Sequence, residues 1–195
     1  MYIIRYFEDH NIQITFEDGD LDVIKNNPMD FLALSYYYTN IIDHTKNAYK
    51  AFDSGQNPYL KPTLWECRAD PTGLYNSLSQ YWDRYHKPII MAENGLGALD
   101  TVEEDGSIHD VYRQEYGKAH IQMMKEAVKD GVNVIAYCWW GPIDIVSSSS
   151  AEMSKRYGFV YVDKDDLGNG TQKRSKKDSF YWYQRVIATN GEDLG

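Results

Sequence analysis

Cysteine is scarce. Cys67 and Cys138 are the only two in 195 residues, too few for a disulfide framework, and neither stands in a metal-ligand spacing. A reducing, cytoplasmic setting is the expectation. Basic residues are also in deficit, with 20 Lys and Arg against 29 Asp and Glu and a formal charge of -9. Holding DNA or RNA requires cations that displace counterions from phosphates, so no nucleic-acid partner is expected. No apolar run reaches the ~20 residues that cross a bilayer, which argues against a membrane partner. The opening MYIIRYFEDHNIQ lacks the basic stretch, apolar stretch and cleavage site of an export signal. Neither G-x-G-x-x-G nor G-x-x-x-x-G-K-[ST] occurs, which argues against a nucleotide-binding sheet. The histidines, His10, His44, His86, His109 and His120, lack helical i, i+4 pairing, and the acidic run Glu103-Glu104-Asp105 sits in a polar loop. No metal and no cofactor are expected. His120, four residues after Tyr116, reads as a packed or capping histidine.

Aromatic side chains are plentiful instead. The 17 Tyr and 5 Trp exceed what a core requires. Flat rings of this kind stack on sugars, although cores and interfaces use the same residues.

Three strand, loop and helix units follow one another along the chain. Phe31 to Tyr38 is a short apolar and aromatic run after an Asn-Asn-Pro turn signal at 26 to 28, and reads as a buried strand. The polar excursion from Thr39 to Asp70 is long enough to be suspected of function. Asp70-Pro71 then opens a helix with Leu74, Leu78, Tyr81, Trp82 and Tyr85 on one face, stopping before Lys87-Pro88. Pro88 to Ala92 is a second apolar strand, ending in Glu93-Asn94-Gly95. A helix follows with Tyr112, Tyr116, Ala119, Met123, Ala127 and Val128 at helical spacing, closed by Asp130-Gly131. Val132 to Trp140 is the third strand. Tyr157 to Val162 is strand-like, Asp163 to Lys177 is charged and turn-rich, and Phe180 to Ile187 reads as a terminal helix. Apolar strands alternating with amphipathic helices indicate parallel strands covered by helices, the α/β class. Three such units do not close a (β/α)8 barrel, which takes eight strands and typically ~250 residues.

Glu93 stands out. A carboxylate at the C-terminal end of a buried parallel strand faces the mouth of the sheet, where barrel enzymes hold catalytic groups, and Asn94-Gly95 behind it lets the chain turn away. It would otherwise be a residue that starts a loop. If the strands lie in chain order, the tyrosines 36 to 38 and the pair Trp139-Trp140 flank it, and an aromatic-walled carboxylate suits a sugar. Each aromatic alone would be core packing.

The stretches DFLALSYYYTN, PIIMAENGLG, HDVYRQEYGKAHI, YCWWGPIDIVSSSSAEMSKRYGFVYVD and KRSKKDSFYWYQRVI resemble, in order and spacing, the C-terminal part of glycoside hydrolase family one, and within it the bacterial 6-phospho-β-glucosidases. The resemblance implies the C-terminal portion of a (β/α)8 TIM barrel, about strands six to eight with their helices. On that basis residues 1-195 are expected to be part of a single catalytic domain whose N-terminal half is absent. It implies a retaining mechanism with Glu93 as nucleophile. Tyr37 matches the family's tyrosine that holds the nucleophile's carboxylate, with Tyr36 as the alternative because the aromatic run is one residue longer than usual. Ser35 stands where many members have Asn. By the same resemblance Trp140 matches the tryptophan that forms the floor of the sugar site, and Trp65 a loop tryptophan nearer the aglycone.

The resemblance also implies a phosphate site. Ser147 replaces a Glu that in ordinary β-glucosidases of the family accepts from the sugar 4- and 6-hydroxyls, which removes repulsion against a phosphate. Lys155 supplies charge and Tyr157 a directed donor. Ser147 and Ser148 are alternatives for the hydroxyl, and Ser148, where 6-phospho-β-galactosidases often carry Trp, favours gluco over galacto substrates. The expected ligand is a phosphorylated disaccharide such as cellobiose 6-phosphate, or an aryl glucoside 6-phosphate. The family's acid/base Glu lies in a T-x-N-E-P motif, and no Asn-Glu-Pro occurs in this sequence. The isolated chain is therefore expected to be a nearly inactive fragment that needs the N-terminal half of the barrel, or self-associates. The competing expectation is a noncatalytic sugar-phosphate-binding or structural half-barrel module.

Overall fold

The computed structural model describes residues 2–41, 55–61 and 69–195. Trp65, Cys67 and His44 lie outside the described residues. Two compact units are resolved, Met1–Asp30 and Phe31–Gly195. The first contains helices α1 (Tyr2–Asp9) and α2 (Asp20–Asn26), neither anticipated from apolar periodicity. No residue of α2 is buried, and Leu21, Val23 and Ile24 are all more than half exposed.

The second unit carries strands β1 (Leu32–Ser35), β2 (Asn40–Ile41) and β3 (Gly55–Gln56), then helix α3 (Pro71–Tyr85) and strand β4 (Ile89–Asn94). Helix α4 (Val111–Lys129), strands β5 (Val134–Trp139), β6 (Val160–Val162) and β7 (Arg174–Lys176), and helix α5 (Asp178–Ala188) complete it. β1, β4 and β5 form one parallel sheet in chain order with β4 central, so the strand that carries Glu93 lies between β1, which Tyr36 follows, and β5, which ends in Trp139. The other strands pair locally: β2 with β3 and β6 with β7, both antiparallel. β7 falls within the stretch read as turn-rich. Its Arg-Ser-Lys sequence shows no alternation of apolar residues, and three backbone-paired residues suffice to complete the hairpin with β6.

Local chemistry sets the helix ends. Asp70 accepts the amide N–H of Gly73 at 3.0 Å, satisfying one of the open donors at the start of α3, and Pro71 sits where its missing N–H costs nothing. α3 ends at His86, whose left-handed backbone returns an N–H to the Trp82 carbonyl. Leu74 and Leu78 of α3 have no exposed surface and pack with Ile89 and Met91 of β4, Ala127 of α4 and Tyr36. Tyr81 and Val128, expected on buried helical faces, are 42% and 48% exposed. Only about one residue in three of a two-layer helix meets the sheet, and the Leu74–Leu78 row takes that position in α3.

A second cluster joins α4 and α5 across the end of β5: Tyr116, Ile121, Trp139, Phe159, Trp182 and Val186. Phe159 stacks on Tyr183 at 4.4 Å between ring centroids. The outer strands are less covered than β4. Ala33 and Ser35 of β1 and Ile135, Ala136 and Cys138 of β5 are exposed. No described helix is long and apolar enough to cross a membrane.

Candidate functional site

The site begins with an irregularity in β4. Burial alternates through Ile89 and Met91 but then jumps to Asn94, leaving Glu93 half-buried. Pairing shifts on both sides at this point: Leu34 faces Met91 while Ser35 faces Glu93, and the β5 register slips between Met91 and Asn94. An extra residue of this kind re-aims a side chain by exchanging the faces of a strand. Asn94 rather than Glu93 therefore takes the fully buried position. Its amide donates to the Tyr36 carbonyl at 2.7 Å and the Tyr116 hydroxyl at 3.0 Å, and its oxygen accepts the Tyr137 hydroxyl at 2.7 Å. The Asn94 carbonyl also accepts the Trp140 N–H at 2.8 Å. With Asn94 pinned on all sides, the backbone next to Glu93 has little freedom. Sequence reasoning had treated Asn94 as a turn residue. Gly95 likewise is not in a left-handed turn. A Cβ there would sit 3.3 Å from Trp139 Nε1 and from the Trp140 carbonyl, so the glycine serves close packing of β4 on β5.

Of the two candidate tyrosines, Tyr37 reaches the carboxylate: its hydroxyl donates to Glu93 Oε2 at 2.9 Å. Burial, then the hydrogen bond and charge of Glu93, push the Tyr37 pKa well above its ordinary value, so the phenol remains a donor throughout the physiological range. Tyr36, expected as an alternative and as a sugar contact, is 7% exposed and belongs to the core. Its hydroxyl donates to the Asp70 carbonyl at 2.6 Å, tying β1 to the start of α3. Successive residues of an extended chain face opposite ways, so one tyrosine at most could reach Glu93.

The anion-binding candidates gather beyond β5. Ser147, 1% exposed, accepts the Tyr157 hydroxyl at 3.0 Å and lies 3.3 Å from Ser149 Oγ. Lys155 is 8% exposed, with its Nζ 5.8 Å from the centre of the Tyr157 ring. Ser148 is exposed, so Ser147 is the serine joined to this cluster. The segment that follows Glu93 reaches this region at Ala98, which bridges Arg156. Trp140 is half-buried at the end of β5, and its indole neighbour Trp139 is buried with Nε1 donating to the Tyr157 carbonyl at 3.1 Å.

Beneath this cluster lies a buried ionic network that the sequence reading missed. Arg113, without exposed surface, donates to the carbonyls of Leu96 at 2.8 Å, Arg156 at 3.2 Å and Tyr157 at 3.0 Å. Its charge is met by Asp110 at 2.8 Å and Asp100 at 3.0 Å. Lys177, equally buried, sits 2.5 Å from Asp100 and 2.9 Å from Asp144, and Asp144 also accepts the Gly158 N–H at 2.8 Å. Burial pushes Asp100 upward, but the charges of Arg113 and Lys177 outweigh it and hold the carboxyl below its ordinary range. Burial, aided by Arg113, depresses Lys177 against the opposing pull of Asp144 and Asp100. Isolated Asp, Arg and Lys in polar stretches carry no periodic signal, so nothing in the sequence pointed to their burial.

His120 is packed, as expected: it has no exposed surface, its Nδ1 lies 2.8 Å from the Tyr116 carbonyl, and burial lowers its pKa. A surface Ser-His-Asp contact also exists, with Ser107 Oγ 3.1 Å from His109 Nε2 and His109 Nδ1 2.6 Å from Asp178. The Ser107 hydroxyl donates to Asp105 at 2.6 Å instead, so the arrangement does not activate a nucleophile. Among the described residues no group of three or more His, Cys, Asp or Glu could hold a metal ion.

The sequence model of glycosyl hydrolase family 1 matches residues 1–192. The aryl-phospho-beta-D-glucosidase BglH of Bacillus subtilis is 48% identical over 198 residues, covering 99% of this chain and 42% of that protein. The phospho-cellobiase of Klebsiella oxytoca is also 48% identical, with the same 99% and 42% coverage. Among solved structures, the beta-glucosidase from Thermotoga maritima in complex with noeuromycin matches with a TM-score of 0.80 at 30% identity, over 99% of this chain and 42% of that one. The α/β architecture thus matches part of the barrel of these neighbours, and the chain spans 42% of the length of the relatives named here.

Proposed function

The chain belongs to glycosyl hydrolase family 1, and from that membership we propose that it supplies the nucleophile and the phosphate-binding half of a retaining 6-phospho-β-glucosidase. The observation that carries the proposal is a half-buried Glu93 held by Tyr37 at 2.9 Å, on a strand whose following segment bridges at Ala98 to Arg156, the residue between Lys155 and Tyr157. The relatives, a phospho-cellobiase and aryl-phospho-β-glucosidases, support phosphorylated β-glucosides as substrates, and gluco over galacto.

In this reading Glu93 attacks the anomeric carbon and forms a covalent glycosyl-enzyme, which water then hydrolyses with retention. The Tyr37 hydroxyl holds the carboxylate for attack. Trp140 lies under the sugar ring, and Trp65 is assigned to the aglycone side. Lys155 and Tyr157, with Ser147, bind the 6-phosphate through charge-assisted and directed hydrogen bonds. β1, β4 and β5 correspond to the sixth, seventh and eighth barrel strands. Departure of the leaving group calls for a second carboxyl ~5 Å from the first, and no Asn-Glu-Pro is present among the 195 residues. That group comes from a complementing N-terminal half, seated along the exposed edges of β1 and β5. Alone, the chain turns over ordinary substrates poorly, because general acid catalysis commonly contributes ~10²- to 10⁴-fold.

A 2-deoxy-2-fluoro-β-glucoside 6-phosphate with a dinitrophenolate leaving group tests this directly. So acidic a phenol departs without protonation, so attack by Glu93 does not depend on the missing acid. Mass spectrometry is expected to find the sugar on the peptide containing Glu93, and Glu93→Gln to abolish it. Labelling that persists in Glu93→Gln, or none in the chain combined with a complementing half, refutes the assignment in favour of a noncatalytic sugar-phosphate module.

A further inference from the structure

We propose that Gly97 is a specificity-determining residue: its missing side chain lets the Lys155 stem lie against the segment leaving Glu93, and that contact fixes where the ammonium meets the 6-phosphate. The inference rests on the phosphate-site reading above and adds to it a residue that touches neither sugar nor phosphate.

Gly97 follows Glu93 by four residues. The next residue, Ala98, forms an isolated antiparallel bridge with Arg156, its N–H donating to the Arg156 carbonyl at 2.9 Å and its carbonyl accepting the Arg156 N–H at 2.8 Å. The segment leaving Glu93 is therefore zipped to the segment bearing Lys155 and Tyr157. At Gly97 the side chains of the second segment lie close against the first. A Cβ there would lie 2.7 Å from Lys155 Cε, 2.8 Å from Lys155 Cγ and 3.2 Å from Tyr157 Cε1. The backbone of Gly97 is outside the left-handed region, so any residue could adopt it, and what demands glycine is the lysine.

The consequence divides fold from function. The neighbour in the way is a flexible stem, so an added methyl is accommodated by swinging Lys155 aside rather than by moving backbone. Lys155 is 8% exposed and already rests near the Tyr157 ring, so a swung stem carries its ammonium away from Tyr157. A charge-assisted hydrogen bond depends on both distance and angle, and the selectivity for a phosphorylated sugar goes with it. Gly97 thus couples the spacing of the nucleophile and the anion site along one short segment.

The test is calorimetric titration of the 195-residue chain with glucose 6-phosphate and with glucose. The wild-type chain is expected to prefer the phosphorylated sugar. Gly97→Ala and Gly97→Ser are expected to lower that preference ~10-fold or more, the scale of one charged hydrogen bond, with glucose binding changed less than about twofold. Lys155→Ala lowers the preference too, and Gly97→Ala added to Lys155→Ala lowers it no further, the signature of two residues acting through one group. If Lys155→Ala loses the preference while both Gly97 variants keep it, Gly97 plays no such part. Additive losses in the double variant equally overturn the inference, as does a Gly97 variant that loses near-UV circular dichroism together with glucose binding. A wild-type chain without any preference, by contrast, defeats the phosphate-site reading itself.

Discussion

The two arms that meet at the candidate site are built from opposite materials. β4, which carries Glu93, is held from one side by apolar contact: Ile89 and Met91 are without exposed surface and rest on Leu74 and Leu78. The segment from Asp144 to Lys177, which carries Lys155 and Tyr157, is held from beneath by Asp144, Lys177, Asp100 and Arg113, all with fully buried side chains. Apolar packing is non-directional and tolerates volume-conserving exchange. Buried ions are directional and strand one another when a partner is removed. The strand arm therefore supplies a rigid base for the carboxylate, whereas the ionic arm fixes the positions of three carbonyls and, through them, of the segment that bears Lys155 and Tyr157.

The comparison breaks most sharply at Arg113. Arg113→Met keeps the length and apolar stem but leaves Asp110 and Asp100 short of a cation and the Leu96, Arg156 and Tyr157 carbonyls without their donor. Removing one member of a buried ionic set costs ~3–5 kcal/mol. Denaturant unfolding is expected to show a loss of that size, and the preference for glucose 6-phosphate over glucose is expected to disappear under native conditions. A loss below ~1 kcal/mol would mean the network behaves like a surface ion pair, and the contrast between the arms would fail.

Leu78→Ala probes the other arm. Deleting a fully buried leucine side chain costs roughly 2–5 kcal/mol, with about 3 kcal/mol expected here because Leu78 packs among several core residues. At temperatures where the variant remains folded, its preference for the phosphorylated sugar is expected to be unchanged. Should ligand preference fall in step with stability, as for Arg113→Met, the division of labour between the arms is wrong.

The same division explains what could be read in advance. β1, β4, β5 and α3 to α5 were legible because apolar runs and helical spacing record burial directly, and the adjacency of β1, β4 and β5 follows from the habit of sequential units to neighbour each other. Glu93, with Tyr36 to Tyr38 beside it, was legible from its place at a strand end, whereas the role given to Tyr37, and Lys155 and Tyr157 altogether, entered only through family resemblance. The register shift that exchanges Glu93 for Asn94 leaves no trace in hydrophobicity, because it depends on how three strands pair. The burial of Arg113 and Lys177 is equally silent: a charged residue is read as solvated unless its partners are known, and apart from Asp110 those partners are 13 to 77 residues away in groups that only the fold assembles. Residues 1–30 were the reverse failure, since α2 carries apolar side chains, Leu21, Val23 and Ile24, that are more than half exposed.

The smallest expected effect sharpens the contrast within the ionic arm itself. His109 and Asp178 pair at 2.6 Å across the same region, but their side chains are 59% and 44% exposed, unlike those of Arg113 and Lys177. The hydrogen bond to Asp178, and then its charge, raise the His109 pKa above the ordinary value. A histidine whose folded pKa is raised contributes stability that is fully present below its unfolded value, about 6.5, and lost as pH rises through the folded value. Comparing thermal unfolding of the wild type and His109→Asn between pH 5.5 and 8.5 is expected to show a small advantage for the wild type at the acid end that shrinks toward the alkaline end. Solvent screening keeps that advantage well under the effect of Arg113→Met. An advantage that grew with pH would mean the imidazole pairs in its neutral form, and one as large as that of Arg113 would mean that burial is not what separates the strong ions of this arm from the weak.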